Sequence, residues 1–234
     1  MTYEYTDKLY KKYSLLIVRV FNSLNRELQA LNFDELNAGK AYKVVSEKVE
    51  KAYKKCYDEL IDILILFSLF YFGEACDKVV SVKGDKITYY IGKKGGFRKE
   101  KTFDARKFVE SYVKSNNPVV KYIFDNEYQR KMSRAIESIL TTENKTEMKK
   151  QIDIAMRYWN RQAKQAGDNV SSDAYIEGLK AMGFEYVKWI TQEDEKVCTA
   201  CAARDGKIYR IDKIFRPLHY NCRCDLVPYV KDSE

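Results

Sequence analysis

Four of the six cysteines and the only histidine of this 234-residue chain fall in one short stretch, Cys198-Thr199-Ala200-Cys201 and then His219-Tyr220-Asn221-Cys222-Arg223-Cys224. Two cysteines spaced C-x-x-C on a tight turn can aim both thiolates at one point, and a following H-x-x-C or C-x-C brings the remaining donors of a tetrahedral site. Sulfur with one imidazole selects zinc over magnesium or calcium, which take oxygen ligands. Five donors compete for four places. The spacing favours Cys198, Cys201, His219 and Cys222, because the H-x-x-C knuckle repeats the reach of the C-x-x-C one; Cys224 is the alternate. The competing reading pairs these cysteines in two disulfides. Against it, the start Met1-Thr2-Tyr3-Glu4 lacks the basic region and apolar core of a secretory leader, so reduced thiols in a cytoplasm are expected.

A catalytic zinc is a weaker fit than a structural one. Zinc deaminases pair H-x-E with P-C-x-x-C, whereas Tyr220 and Asn221 follow the histidine here. The H-E-x-x-H metalloprotease pattern needs two histidines. A nucleophilic pair of Cys198 with His219 is formally open, but residues 1–183 offer no acid, base or nucleophile constellation to support a reaction. The sequence therefore predicts a structural Zn2+, no catalytic residues and no enzymatic turnover.

The elements that must position this cluster are mostly helical. Leu9, Tyr13, Leu16, Val20, Leu24, Leu28 and Leu31 recur at steps of three and four, the period of one helix face, with Thr6 and Asp7 as the cap. Asn32 to Gly39 breaks the pattern. Tyr42, Val45, Val49, Ala52, Cys56, Leu60, Ile63 and Phe67 form a second stripe, closed near Gly73. The two stripes can face each other as an antiparallel pair, with Cys56 as a small buried hydrophobe. Leu60 to Phe72 is too short and too charged to span a bilayer and reads as a core helix.

Val79–Val82 and Lys86–Ile91 around Gly84-Asp85 predict a β-hairpin, followed by a loosened glycine-rich stretch. Asp104 caps a helix to about Val113, which Asn116-Asn117-Pro118 stops. Further helices are expected over Val119–Leu140 (apolar Ile123, Met132, Ile136 and Ile139) and from Thr146, with Ile152, Ala155, Trp159 and Ala163 inward. A turn is expected at Gly167–Ser172, then a short helix ended by Gly183.

From residue 184 the pattern changes. Tyr186–Ile190, Lys207–Ile211 and Asp225–Tyr229 read as strands, with Asp205-Gly206 as a tight turn. So small a sheet buries little by itself, and a metal would supply the missing stability. The fold class is α+β: a helical body over 1–183 with a β-hairpin near 79–91, and a zinc-stapled β module over 184–234.

The formal net charge of +8 points to polyanions as neighbours without bearing on fold. Lys93, Lys94, Arg98, Lys99 and Lys101, interleaved with Tyr89, Tyr90, Phe97 and Phe103, are the candidate nucleic-acid contacts, since cations meet phosphate while rings can stack on bases. The competing reading is a solvated basic loop.

The linked run Trp189-Ile190, Asp194, Val197-Cys198, Cys201, Asp205-Gly206-Lys207-Ile208-Tyr209, Pro217, His219, Cys222-Arg223-Cys224, Leu226 and Pro228 resembles the C-terminal signature of phage Mu F-like head morphogenesis proteins. Ser172–Gly183 followed by Phe184-Glu185-Tyr186-Val187 resembles the helix, glycine stop and strand before it. The chain departs from the family's usual pattern in having Gln165-Ala166-Gly167-Asp168 in place of an Arg-Thr-Glu run, and Tyr220 in place of a proline.

The resemblance implies a minor head (minor capsid) protein of a phage or prophage. It would act in capsid assembly and in genome packaging or ejection near the portal, without turnover. It implies portal protein and major capsid protein as partners, packaged double-stranded DNA as a neighbour, and no membrane. The expected places are the host bacterial cytoplasm during assembly and then the interior of the virion head. Arg204, Asp205 and Arg223 become candidates for contacts around the metal or with a partner. The alternative from the residues alone is a zinc-containing nucleic-acid-binding protein outside a virion.

Overall fold

In a computed structural model of the chain, the structure describes residues 2–76, 79–92, 98–115, 127–142, 144–192, 194–214, 219 and 222–231; of residues 2–5, 92 and 98 it describes the backbone. They form two units, Met1–Ile63 with Ser111–Ala166, and Leu64–Glu110 with Gly167–Glu234.

The first unit is helical. Helix α1 (Thr2–Gln29) buries Leu9, Tyr13, Ile17, Val20, Phe21, Leu24 and Leu28. The expected stripe is thus present and wider: Leu16 is half-buried, and Ile17 and Phe21 carry more of the core. A single 3-10 turn (Phe33–Glu35) fills the expected break. Helix α2 (Ala38–Ala75) starts where the Asn37 carboxamide oxygen accepts the Lys40 N–H at 2.9 Å. Its part in this unit buries Ala41, Val45, Val49, Ala52, Tyr53, Cys56, Leu60 and Ile63. Tyr42, placed on that stripe from the sequence, is 58% exposed; Ala41 takes the inward position one residue earlier.

The first two helices run antiparallel, as expected. The Tyr13 hydroxyl donates to the Cys56 carbonyl at 2.8 Å, Phe21 meets Tyr53 edge-on at 6.0 Å, and Lys48 pairs with Glu27 at 2.8 Å, so rising numbers in α1 meet falling ones in α2. Tyr53 also lies edge-on to Tyr128 and Trp159.

The second unit receives the end of α2. An antiparallel meander of β1 (Val79–Lys83), β2 (Lys86–Gly92) and β3 (Arg98–Asp104) follows. The hairpin expected around Gly84-Asp85 is there, with Gly84 at φ 55°. Its third strand was not expected from the polar run Arg98–Glu100. It forms because β2 offers a free edge, with Ile87 opposite Phe103, and because the Phe103 ring stacks on Phe72 at 3.9 Å. Asp104 then accepts the Lys107 N–H at 3.0 Å and caps α3 (Ala105–Val113), as predicted.

Helix α4 (Glu127–Leu140) and helix α5 (Lys145–Ala181) follow. The expected stop at Asn116-Asn117-Pro118 and the expected helical residues 119–126, Ile123 among them, lie outside the described residues. In the first unit α4 buries Ile136 and Ile139, while α5 buries Ile152, Ala155, Trp159 and Ala163. The turn expected at Gly167–Ser172 is absent: α5 continues through it. Ala166, Val170 and Ala174 lie four residues apart on one wholly buried face, and packing of that face overrides the helix-breaking preference of Gly167-Asp168. The helix ends where predicted. Gly183 adopts φ 89°, the Phe184 N–H donates to the Leu179 carbonyl at 3.1 Å and the Gly183 N–H to Lys180 at 3.0 Å, a glycine-dependent C-terminal cap.

A second antiparallel sheet, ordered β5-β4-β6, completes this unit: β4 (Tyr186–Ile190), β5 (Ile208–Arg210) and β6 (Asp225–Tyr229), with the short helix α6 (Thr199–Ala202) between β4 and β5. Its inward side chains Val187, Trp189 and Leu226 pack with Ala75, Ile176 and Leu179 from the ends of α2 and α5.

Candidate metal centre

The site grows out of β4. Alternation along this strand buries Val187 and Trp189 and leaves their neighbours partly exposed. Beyond its end the Thr191 N–H donates to Asp205 Oδ1 at 2.7 Å. The chain then turns at Asp194, whose carbonyl accepts the Val197 N–H at 3.1 Å and whose Oδ1 accepts the Lys196 N–H at 3.0 Å. That turn delivers Cys198 as the N-cap of α6, its sulfur accepting the Cys201 N–H at 3.4 Å. After α6, Gly206 at φ 70° reverses the chain, and the pair Gly206 N–H to Trp189 carbonyl (2.8 Å) and Trp189 N–H to Lys207 carbonyl (2.9 Å) locks the first knuckle onto β4.

The second knuckle is closed by the Cys222 N–H donating to the His219 carbonyl at 3.2 Å. Arg223, between the two last cysteines, is clamped from both sides. Its guanidinium donates to both Asp194 oxygens at 2.6 and 2.5 Å, and the Gln192 amide donates to its carbonyl at 3.0 Å. Arg204 instead donates to the Ala200 carbonyl at 2.8 Å, at α6. The ion pair of Asp194 with Arg223 holds the Asp194 carboxyl below the ordinary carboxylate range.

All five predicted donors converge. His219 Nε2 lies 3.2 Å from both Cys198 Sγ and Cys201 Sγ, and Cys201 Sγ lies 3.8 Å from Cys222 Sγ. Cys198, Cys201 and His219 form one group and Cys201, Cys222 and Cys224 another, with donor atoms within 4.8 Å of one another in each. The six cysteines are free thiols, and 3.8 Å is far beyond a disulfide bond of about 2.0 Å, so the paired-disulfide reading is not what forms.

The residues fit a thiolate-rich ion. Tetrahedral zinc with sulfur at about 2.3 Å spaces two sulfurs about 3.8 Å apart, and sulfur and imidazole nitrogen about 3.6 Å apart. The electrostatics are graded. The Cys201 N–H lowers the Cys198 thiol below its ordinary value, while burial raises Cys201 and Cys224. A cation placed among these sulfurs would favour their thiolate forms. The cluster could hold a metal.

Of the candidate nucleic-acid contacts, Lys99 and Lys101 are exposed and share a face of β3 with their cross-strand partners Ile91 and Tyr89. Arg98 is described in its backbone, paired with Gly92; Lys93 and Lys94 lie outside the described residues. Sequence reasoning did not assign the clamp of Asp194 and Gln192 on Arg223. Arg223 lies 29 and 31 residues along the chain from Asp194 and Gln192, a pairing that residue type and local spacing do not reveal.

A helical protein ending in a small antiparallel sheet, with Cys/His knuckles gathered at one point, is the class these features define. Residues 127–227 match the family model described as Phage Mu protein F like protein, and over this segment the chain is similar to that family. The match reaches back to the first residue of α4, well upstream of the motif around Trp189 that carries the resemblance. No curated protein and no solved structure matches the chain.

Proposed function

We propose that this chain is a phage head protein and a minor head component, acting in capsid assembly and in genome packaging or ejection near the portal, with portal and major capsid proteins as partners. The observation that carries the reading is the family match over a segment that includes both cysteine knuckles. In this reading residues 184–234 are a β module stapled by structural zinc on the helical body 1–183. Cys198, Cys201 and His219 supply three ligands, and Cys222 or Cys224 the fourth. The ion ties β4 to β6 through the two knuckles, and the module acts by keeping its shape, without turnover. Exposed Lys99 and Lys101 are offered to packaged double-stranded DNA. Assembly takes place in the bacterial cytoplasm and the protein ends inside the head. Among the described residues no helix is long and apolar enough to cross a membrane.

The test is isolation of heads from cells making the whole particle with an affinity-tagged copy of this chain. Portal and major capsid protein should elute with it, and the Cys198→Ser variant should lose zinc and incorporate poorly. Recovery of the tagged chain free of both proteins while heads assemble normally would sink the head-assembly role.

A further inference from the structure

Five donors face four places, and the structure gives grounds for choosing among them. The choice rests on the zinc reading above and goes beyond it. The hollow walled by Cys198, Cys201 and His219 has Cys224 as its fourth donor wall, together with Gln192 and Lys196; Cys222 does not line it. Cys224 is buried, whereas Cys222 is half-buried.

A second observation comes from the sheet. Trp189 is wholly buried, yet its indole Nε1 has no conventional hydrogen-bond partner. In the β4–β6 ladder Trp189 stands opposite Leu226. Cys224 precedes Leu226 by two residues, so it falls on the same face, at the diagonal position that a large ring can reach. Trp189 and Cys224 belong to the same buried cluster. A buried N–H without an acceptor costs stability, and a metal-bound thiolate is the acceptor that would satisfy it.

We propose that Cys224 is the fourth metal ligand beside Cys198, Cys201 and His219, positioned by the buried Trp189 indole N–H, and that Cys222 is the outer, exchangeable thiol. Cys222 stays close to Cys201 because the Arg223 clamp fixes the backbone between the two last cysteines.

The experiment uses the full chain purified without chelator. Zinc content is measured for the parent, Cys222→Ser, Cys224→Ser and Trp189→Phe, and the zinc-loaded parent is alkylated with iodoacetamide and mapped by mass spectrometry. The parent and Cys222→Ser should hold about one zinc each and Cys224→Ser should lose it. In the parent, Cys222 should be alkylated while Cys224 is protected until chelator is added, a readout that needs no variant to fold. Trp189→Phe should give up zinc to a chelator about 10-fold more readily. Its cobalt-loaded form should show the sulfur-to-metal charge-transfer band at lower energy, because the donor to the sulfur is gone. Zinc kept in Cys224→Ser and lost in Cys222→Ser would overturn the ligand assignment and leave the zinc reading standing. Unchanged release and an unmoved band would remove the role of Trp189 alone, and a parent without zinc would overturn the metal reading together with this one.

Discussion

Asp173 sits half-buried on α5, and burial raises its carboxyl to about 6, with Glu177 adding to the rise and Lys180 opposing it. Its value in the unfolded chain is close to 4. A carboxyl raised on folding contributes stability that is complete below the unfolded value and is lost as pH rises through the folded one. Asp173→Asn keeps the shape and cannot ionise. It should therefore exceed the parent in stability by about 1–3 kcal/mol at pH 8 and come within about 0.5 kcal/mol of it at pH 4. Urea titrations at the two pH values check this, and an equal gap at both would show that charge is not the cause. Nothing in the sequence marked Asp173, because a turn was expected just before it.

Cys56 was legible, since it lies on an apolar stripe. Its thiol is pushed up to about 12, by burial first, and should stay unreactive to a thiol reagent at pH 8 until the chain is unfolded. Rapid labelling of Cys56 in the native protein would contradict that placement. The five donors were equally legible from residue type and spacing. The Trp189 N–H was not, because an orphaned buried donor is a property of packing that no spacing reveals.

Elements were readable where burial follows a period. The stripes of α1 and α2 and the alternation of β4 come straight from side chains that must leave water. Two elements were not. The strand β3 begins with Arg98-Lys99-Glu100, which shows no alternation, and it is specified by the edge of β2 and by Phe103 on Phe72. Helix α5 passes through Gly167-Asp168 because small residues there pack closely.

The same logic governs Gly178, further along α5. A Cβ there would lie 2.5 Å from Ala75 Cβ and 2.9 Å from the Phe72 carbonyl oxygen on α2. Alanine gains about 1 kcal/mol of helix propensity over glycine, but the backbone oxygen cannot move without shifting the helix. Gly178→Ala should therefore destabilise by about 1–3 kcal/mol, the range for overpacking. A urea midpoint at or above that of the parent would mean that the two helices can part at no cost.

At the scale of the whole molecule, the two units are discontinuous in sequence. Nothing in the periodicity marks Ile63 or Ala166, since the buried stripes of α2 and α5 run on past both. The units differ in what holds them. In the first, Tyr53 has Phe21, Tyr128 and Trp159 around it and a core made of helices. In the second, Cys201 and Cys224 are themselves core residues, packed with Val187, Trp189, Leu226 and Leu179.

Removing a metal from that cluster would therefore open a core, where removing one from a surface loop would not. A ligand present at 1,000 times its dissociation constant contributes about 4 kcal/mol to the state that binds it. Chelation should accordingly weaken the second unit by several kcal/mol and leave the first nearly unchanged. Hydrogen exchange followed by mass spectrometry resolves the two. After chelator, amides of Val187–Trp189 and Leu226 should exchange at least 100-fold faster, the factor that about 3 kcal/mol implies, while those of Ile17–Leu24 in α1 keep their protection. Equal acceleration in both sets would show that the ion supports the whole chain as one cooperative body. No acceleration in either would show that β4 and β6 stand on apolar packing alone.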